Sequence, residues 1–190
     1  MIKFRTALAT AALLAASMTP ALASGNLYDT LKADPQFSTL VQVIDANGLK
    51  FRYTDKSPRT VFAPTNGAFD KIKGGYADMT HPNTPSDRQN VQALLLYQIV
   101  PGRHTPESLK GKTVTVTTLQ QDPVTIDGTG ANLHFGGEFG ADQAGSAIEA
   151  SNGIVIPVDT LPTPVFSQSE ETETAPAAGT LTPPAGMQHQ

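Results

Sequence analysis

The chain has 190 residues, 13 of them Lys or Arg against 17 Asp or Glu, for a formal charge of −4, and it contains neither cysteine nor tryptophan. The absence of cysteine rules out a disulfide framework, a thiolate metal site, a cysteine nucleophile and a lipid-modified cysteine. Net negative charge scattered along the chain, with few aromatics, argues against a nucleic-acid surface, which needs clustered Lys and Arg or a stacking platform.

Residues 1–23 read as a signal peptide. Met1-Ile-Lys-Phe-Arg5 is a short basic start, Thr6 to Met18 is rich in Ala and Leu, and Ala21-Leu22-Ala23 is a small-x-small cleavage pattern. The apolar run is shorter than the ~20 residues of a spanning helix and is broken by Thr10, Ser17, Thr19 and Pro20. Cleavage near Ala23 predicts a secreted or periplasmic protein with no transmembrane segment. The remainder keeps 11 of the 13 basic and all 17 acidic residues, a formal charge of −6. Residues 24–166 suffice for one globular domain that must stand on its own core.

Asn26 to Ala33 is predicted as a short helix with Leu27 and Leu31 on one side, and Pro35 to Asn47 as a longer one. In the second, Phe37, Leu40, Val41 and Ile44 fall at i, i+3, i+4 and i+7, and Asn47-Gly48 supplies a left-handed stop. Leu49 to Tyr53 reads as extended, followed by a polar turn through Pro58. Thr60 to Ala63 is predicted as a buried strand that Pro64 ends, because proline cannot donate to a ladder. Thr65 or Asn66 then caps a helix that turns Ala68, Phe69 and Ile72 inward and closes at Lys73-Gly74-Gly75.

Tyr76 to Pro85 is a polar loop. Ser86 and Gln89 form a capping box for a helix whose buried stripe is Val91, Leu94 and Leu95. Ile99 to Gly102 reads as a strand or turn exit, and Thr105-Pro106-Glu107 opens a further short helix with proline at its first position. Beyond it Thr113–Leu119, Val124–Asp127, Ala131–Phe135, Ser146–Ala150 and Ile154–Val158 are predicted strands. Helices early and strands late predict an α+β fold with helices on a mostly antiparallel sheet system. Residues 167–190, rich in Pro, Ala, Thr and Glu, cannot bury enough surface to offset ordering entropy and are predicted to be a disordered tail.

Three separated segments carry a resemblance: Thr60-Val-Phe-Ala-Pro-Thr-Asn-Gly-Ala-Phe69, Leu94-Leu-Leu-Tyr-Gln-Ile-Val-Pro-Gly102, and Glu149-Ala-Ser-Asn-Gly-Ile-Val-Ile-Pro-Val-Asp159. In this order they resemble the fasciclin (FAS1) domain family, as a secreted, bacterial-type single-domain member. The resemblance spans Asn26 to Pro164. It implies a wedge of mostly antiparallel strands with packed helices, its two signatures close together in the core, and Thr60, Phe62, Pro64, Thr65, Asn66, Phe69, Asn152, Gly153 and Asp159 as structural signature residues. It further implies a non-enzymatic protein without a cofactor that mediates adhesion to a cell-surface or extracellular-matrix partner, protein or polysaccharide. The alternative it implies is a carrier of a small apolar ligand such as a lipid or carotenoid.

Two departures bear on function. Many family members have Tyr-His where this chain has Tyr97-Gln98, and a histidine near the position of Ile156. Roles that depend on those imidazoles are not carried over, and no Arg-Gly-Asp tripeptide occurs. Pro157, inside the last predicted strand, points to an edge position or a bulge.

Catalytic patterns are weak. His81, His104, His134 and His189 lie in a loop, a turn, a strand and the tail without ligand spacing of their own, so ordinary hydrogen-bonding roles are expected. Asp122, Asp127, Glu138, Asp142 and Glu149 do not have calcium-loop spacing and read as solvated turn residues. The glycines between 128 and 140 lack a Walker lysine or a strand-helix context, and no G-x-S-x-G elbow occurs. The candidate binding residues are Tyr97, Gln98, Ile99 and Pro101. Tyr97 either packs between helix and sheet with its hydroxyl bonded, or lines a groove with Ile99, Val100 and Pro101.

Overall fold

Two apolar strands, β1 (Arg59–Pro64) and β8 (Gly153–Val158), lie side by side in parallel register, from Arg59 opposite Gly153 to Pro64 opposite Val158. Every residue of both is buried. Strands covered on both faces read as continuous apolar runs, which is why these two segments lack the polar alternation of a half-exposed strand. The computed structural model describes residues 25–72, 77–136 and 140–163. The predicted signal peptide, the tail and the Lys73-Gly74-Gly75 stop lie outside the described residues.

β2 (Ile99–Pro101) pairs antiparallel with the free edge of β1, and β7 (Ile148–Ala150) pairs antiparallel with β8, giving the sheet order β2-β1-β8-β7. A second four-stranded sheet, order β3-β4-β5-β6, is antiparallel throughout: β3 (Thr113–Thr117), β4 (Pro123–Asp127), β5 (His134–Phe135) and β6 (Ala141–Asp142). The α+β class and the mostly antiparallel pairing are as the sequence predicts. The parallel exception is the pairing that brings the two signatures together.

The first sheet is the middle layer. Val61, Ala63, Ile99 and Val155 pack with Leu27, Leu31, Phe37, Leu40, Ile44 and Tyr53 of the helical layer. Phe62, Val100, Ile156 and Val158 pack on the other face with Val124, Ile126 and Phe135 of the second sheet and with Leu133 just before β5. Successive strand residues point to opposite faces, so Val61 and Phe62 enter different cores although they are adjacent. The helical layer comprises α1 (Leu27–Ala33), α2 (Ser38–Ala46), α3 (Lys50–Thr54), α4 (Asn66–Asp70), α5 (Ala77–Thr80) and α6 (Pro85–Tyr97), with α7 (Pro106–Leu109) beside the second sheet.

Several local expectations need correction. Leu49 to Tyr53 is not extended: α3 occupies the segment, because Leu49 and Tyr53 at i and i+4 bury together against the helical core. The polar stretch after Tyr76 contains the single-turn α5. The capping box of α6 is Thr84 with Asp87, two residues earlier than Ser86 and Gln89, and places Pro85 at the first helical position where its missing N–H costs nothing. In the second sheet β3 and β5 are shorter than predicted, β4 begins one residue earlier at Pro123, and β6 is added, which two residues of sequence could not announce.

Pro157 sits in a strand that is interior in the sheet, yet β7 ends opposite Val155. Beyond that point Val158 turns its carbonyl toward β1, where Thr65 donates to it, while the Pro157 carbonyl points the other way and accepts from Ala144. The proline ring therefore lies on the side the neighbouring strand has vacated.

Candidate functional site

The first signature assembles around β1. Thr60 is fully buried; its hydroxyl donates to the Gly102 carbonyl at 2.9 Å and accepts the His104 N–H at 2.8 Å, fastening the turn after β2 to β1. Phe62 stacks on Phe135 with ring centroids 4.0 Å apart, and Tyr97 meets Phe135 edge-on at 5.8 Å. Pro64 ends the strand, Thr65 enters α4, and Phe69 is buried in the helical core.

Neither Thr65 nor Asn66 caps α4 with its side chain. The Asn66 amide instead reaches the start of α2: its oxygen accepts the Thr39 N–H at 3.0 Å, and its nitrogen donates to the Pro35 carbonyl at 2.9 Å and the Ser38 hydroxyl at 3.0 Å. Phe37, at the cap position of α2, has no side-chain oxygen to offer, and the first-turn N–H of Thr39 is satisfied from 27 residues away.

The second signature does the same for α1. Asn152 accepts the Leu27 N–H at 2.7 Å and donates to the carbonyls of Tyr53 and Asp55 at 3.0 and 2.6 Å. Gly153 next to it is dictated by space, since a Cβ there would lie 2.0 Å from the Arg59 carbonyl oxygen. Asp159 closes the motif. Its carboxylate accepts from Lys71 Nζ at 3.2 Å, the Asp142 N–H at 3.1 Å and the Thr160 hydroxyl at 3.1 Å. Burial pushes the Asp159 carboxyl up, but those three donors outweigh it and hold it below the usual carboxylate range.

Asn47-Gly48, Asn66-Gly67 and Asn152-Gly153 all look like local turn signals in the sequence. In each, the asparagine amide also bonds a remote segment; Asn47 reaches the Met79 carbonyl at 2.8 Å. Sequence reasoning missed this common role, and the recurrence of the dipeptide is the signal that could have raised it.

Of the candidate binding residues, Tyr97, Gln98 and Ile99 are buried and Pro101 is exposed. Tyr97 belongs to the inter-sheet core and Ile99 to the helical core, so they face opposite sides of the sheet. Burial raises the Tyr97 hydroxyl pKa, with a smaller push from Asp122. Gln98 is fully buried, and neither atom of its amide has a hydrogen-bond partner among the described residues. Ile156, the other position that departs from the family's histidines, is fully buried in the inter-sheet core.

His104 Nε2 lies 3.0 Å from the Pro101 carbonyl, and His134 Nδ1 lies 2.8 Å from Asp142 Oδ1. His189 and Glu138 are outside the described residues. Asp127 is held below its ordinary pKa first by the Thr129 N–H and then by the Thr129 hydroxyl. Glu149 pairs with Arg103 across the surface. Among the described residues no group of three or more His, Cys, Asp or Glu is arranged to hold a metal. A cleft of about 210 Å³ between α7 and the loop before β5 is lined by Glu107, Lys110, Asn132, Leu133 and Gln143.

A family model described as the fasciclin domain matches residues 35–164, the span that contains both signatures and both sheets. The chain belongs to the fasciclin domain family. Fasciclin relatives include an uncharacterized protein of Synechocystis sp., 32% identical over 70% of this chain and 94% of its own length. Fasciclin-like arabinogalactan protein 6 of Arabidopsis thaliana is 31% identical over 68% of this chain, which spans 49% of that protein. Immunogenic protein MPT70 of Mycobacterium tuberculosis is 32% identical over 54% of this chain and 48% of its own. Among solved structures, the fasciclin domain pair of the insect cell adhesion molecule fasciclin I matches with a TM-score of 0.62, 15% identity, and coverage of 75% of this chain and 51% of that one. At that identity the likeness concerns the fold.

Proposed function

We propose that this chain is an exported, non-enzymatic adhesion module that binds a cell-surface or matrix partner through its exposed surface and not through its signature residues. The observation that carries the reading is the internal engagement of the signature: Thr60, Asn66, Asn152 and Asp159 each hold another segment of the same chain. Membership in the fasciclin domain family and the fold shared with a cell adhesion molecule support it. The burial of Tyr97, Gln98 and Ile99 favours this reading over a small-ligand carrier, because those side chains would have to leave two separate cores to line a groove.

Surfaces coated with the exported protein should retain cells of its host, or polymers from a delipidated matrix extract, above an albumin-coated control. Equal retention on both coatings would remove the adhesion reading. Export is checked by intact mass, which should place the first residue of the extracytoplasmic protein at Ser24.

A further inference from the structure

The scatter of basic residues has one departure. Lys50, Arg52, Lys56 and Arg59 place four of the chain's 13 basic residues within ten positions, against the single acid Asp55. Inside that window lies Phe51, 55% exposed and the one exposed large hydrophobic side chain among the described residues. Its exposure follows from helix geometry: residues two apart on an α-helix are separated by about 200°, and Tyr53 is fully buried, so Phe51 is aimed at solvent. The window needs only a polar residue there to satisfy the fold.

The cations are held close to the aromatic groups. The Arg52 guanidinium lies 4.8 Å from the Phe51 ring centroid, and Lys50 Nζ lies 4.4 Å from that of Tyr28. Asp55 is paired with Arg59, and Asp45 accepts the Tyr28 hydroxyl at 2.9 Å, so the neighbouring acids are engaged.

We propose that α3 is a membrane-contact tab, in which Phe51 enters the interface of an anionic phospholipid bilayer while Lys50, Arg52 and Lys56 face its headgroups. An aromatic side chain amid cations matches an interface that is apolar beneath and negative above. A negatively charged protein would otherwise be repelled by such a surface, and the local sign reversal orients it. The occupant is lipid and not an acidic polysaccharide because the Arg52 guanidinium already lies over a face of the Phe51 ring on which a sugar would stack, whereas entry into an apolar interface needs only the outward edge of the ring.

The exported protein is mixed with vesicles of phosphatidylglycerol and phosphatidylcholine, or of phosphatidylcholine alone, and sedimented. Binding is expected on the anionic vesicles only and is expected to fall with added salt. Phe51→Ser should weaken it about tenfold and the paired change Lys50→Gln with Lys56→Gln about twenty-five-fold, at about fivefold for each charge. Both variants should keep the wild-type urea midpoint, since these side chains are exposed. Phe51→Trp, which introduces the chain's sole tryptophan, should retain binding and shift its emission to the blue on anionic vesicles. Absence of wild-type binding, or binding unaffected by Phe51→Ser with no emission shift, overturns the proposal. So does retention on an acidic polysaccharide that depends on the lysines and not on Phe51. The delipidated-extract arm of the adhesion test contains no bilayer, so on that arm the two fail separately.

Discussion

The side-chain oxygen of Asn152 accepts the backbone N–H of Leu27 at 2.7 Å, although 125 residues separate them. Leu27 opens α1 and Asn152 stands at the turn into β8, so one amide fixes the start of the helical layer to the central strand pair. Its nitrogen simultaneously holds the end of α3. Asn152→Ala would strand a buried N–H and two carbonyls, at a cost of about 2–4 kcal/mol in urea unfolding. Asn152→Asp keeps the acceptor but sets a carboxylate against the Tyr53 and Asp55 carbonyls. It should be at least as damaging at neutral pH and should recover partly in acid; a wild-type midpoint for either variant would refute the staple.

Gly153 and Gly67 should respond in opposite directions to alanine. At Gly153 the new Cβ meets the Arg59 carbonyl oxygen at 2.0 Å, which forces β1 and β8 apart, so loss of about 3 kcal/mol or more is expected. At Gly67, inside α4, the nearest atom is 3.9 Å away, and the substitution should stabilise by about 0.5 kcal/mol through the unfolded chain. Thermal melting of the two variants side by side decides this, and equal shifts would contradict it.

Tyr53 is fully buried and its hydroxyl has no hydrogen-bond partner among the described residues. Burial raises its pKa well above the ordinary tyrosine value, against a smaller opposing pull from Arg59. The raised folded-state pKa means that the proton is held more tightly in the native state. Stability is intact below pH ~10 and falls as pH rises through the window between the unfolded and folded values. Tyr53→Phe should therefore be neutral or stabilising by up to about 1 kcal/mol at pH 7 and should flatten the alkaline decline. A clear loss of stability at neutral pH would show that the hydroxyl has a partner.

Asp159 titrates in the other direction. Its folded-state pKa is depressed, so its contribution is present above the unfolded value and is lost as pH falls through the folded one. The side chain is 43% exposed and Lys71 57% exposed, so solvent screening keeps the effect below about 1 kcal/mol. Asp159→Asn should lower stability slightly at pH 7 and make it less sensitive to acid than the wild type. Parallel acid-unfolding curves for the two proteins would argue that the carboxylate is not a latch.

The α+β class, the buried strand at Thr60, the left-handed stop at Gly48 and the proline-led α7 were legible because each rests on a local rule of period or backbone conformation. α3 is not legible because its pattern is only one turn long, and Leu49 and Tyr53 are compatible with strand or helix until a core exists for them to enter. The candidate binding residues are apolar or aromatic and stand beside a turn, which in sequence looks alike for a groove and for a core. Only the packing put Tyr97 against Phe135 and Ile99 among the helices.

By itself, the sequence determined which segments are apolar, where the chain must turn, and that the two signatures belong to one family of folds. Those properties follow from local chemistry and survive any arrangement. Tertiary structure alone decided that β1 and β8 pair in parallel, that Gly153 is required by the Arg59 carbonyl, and that Asn66 and Asn152 cap helices far from them in sequence. An amide can bond any backbone group within 3 Å, and only the folded chain chooses which group that is.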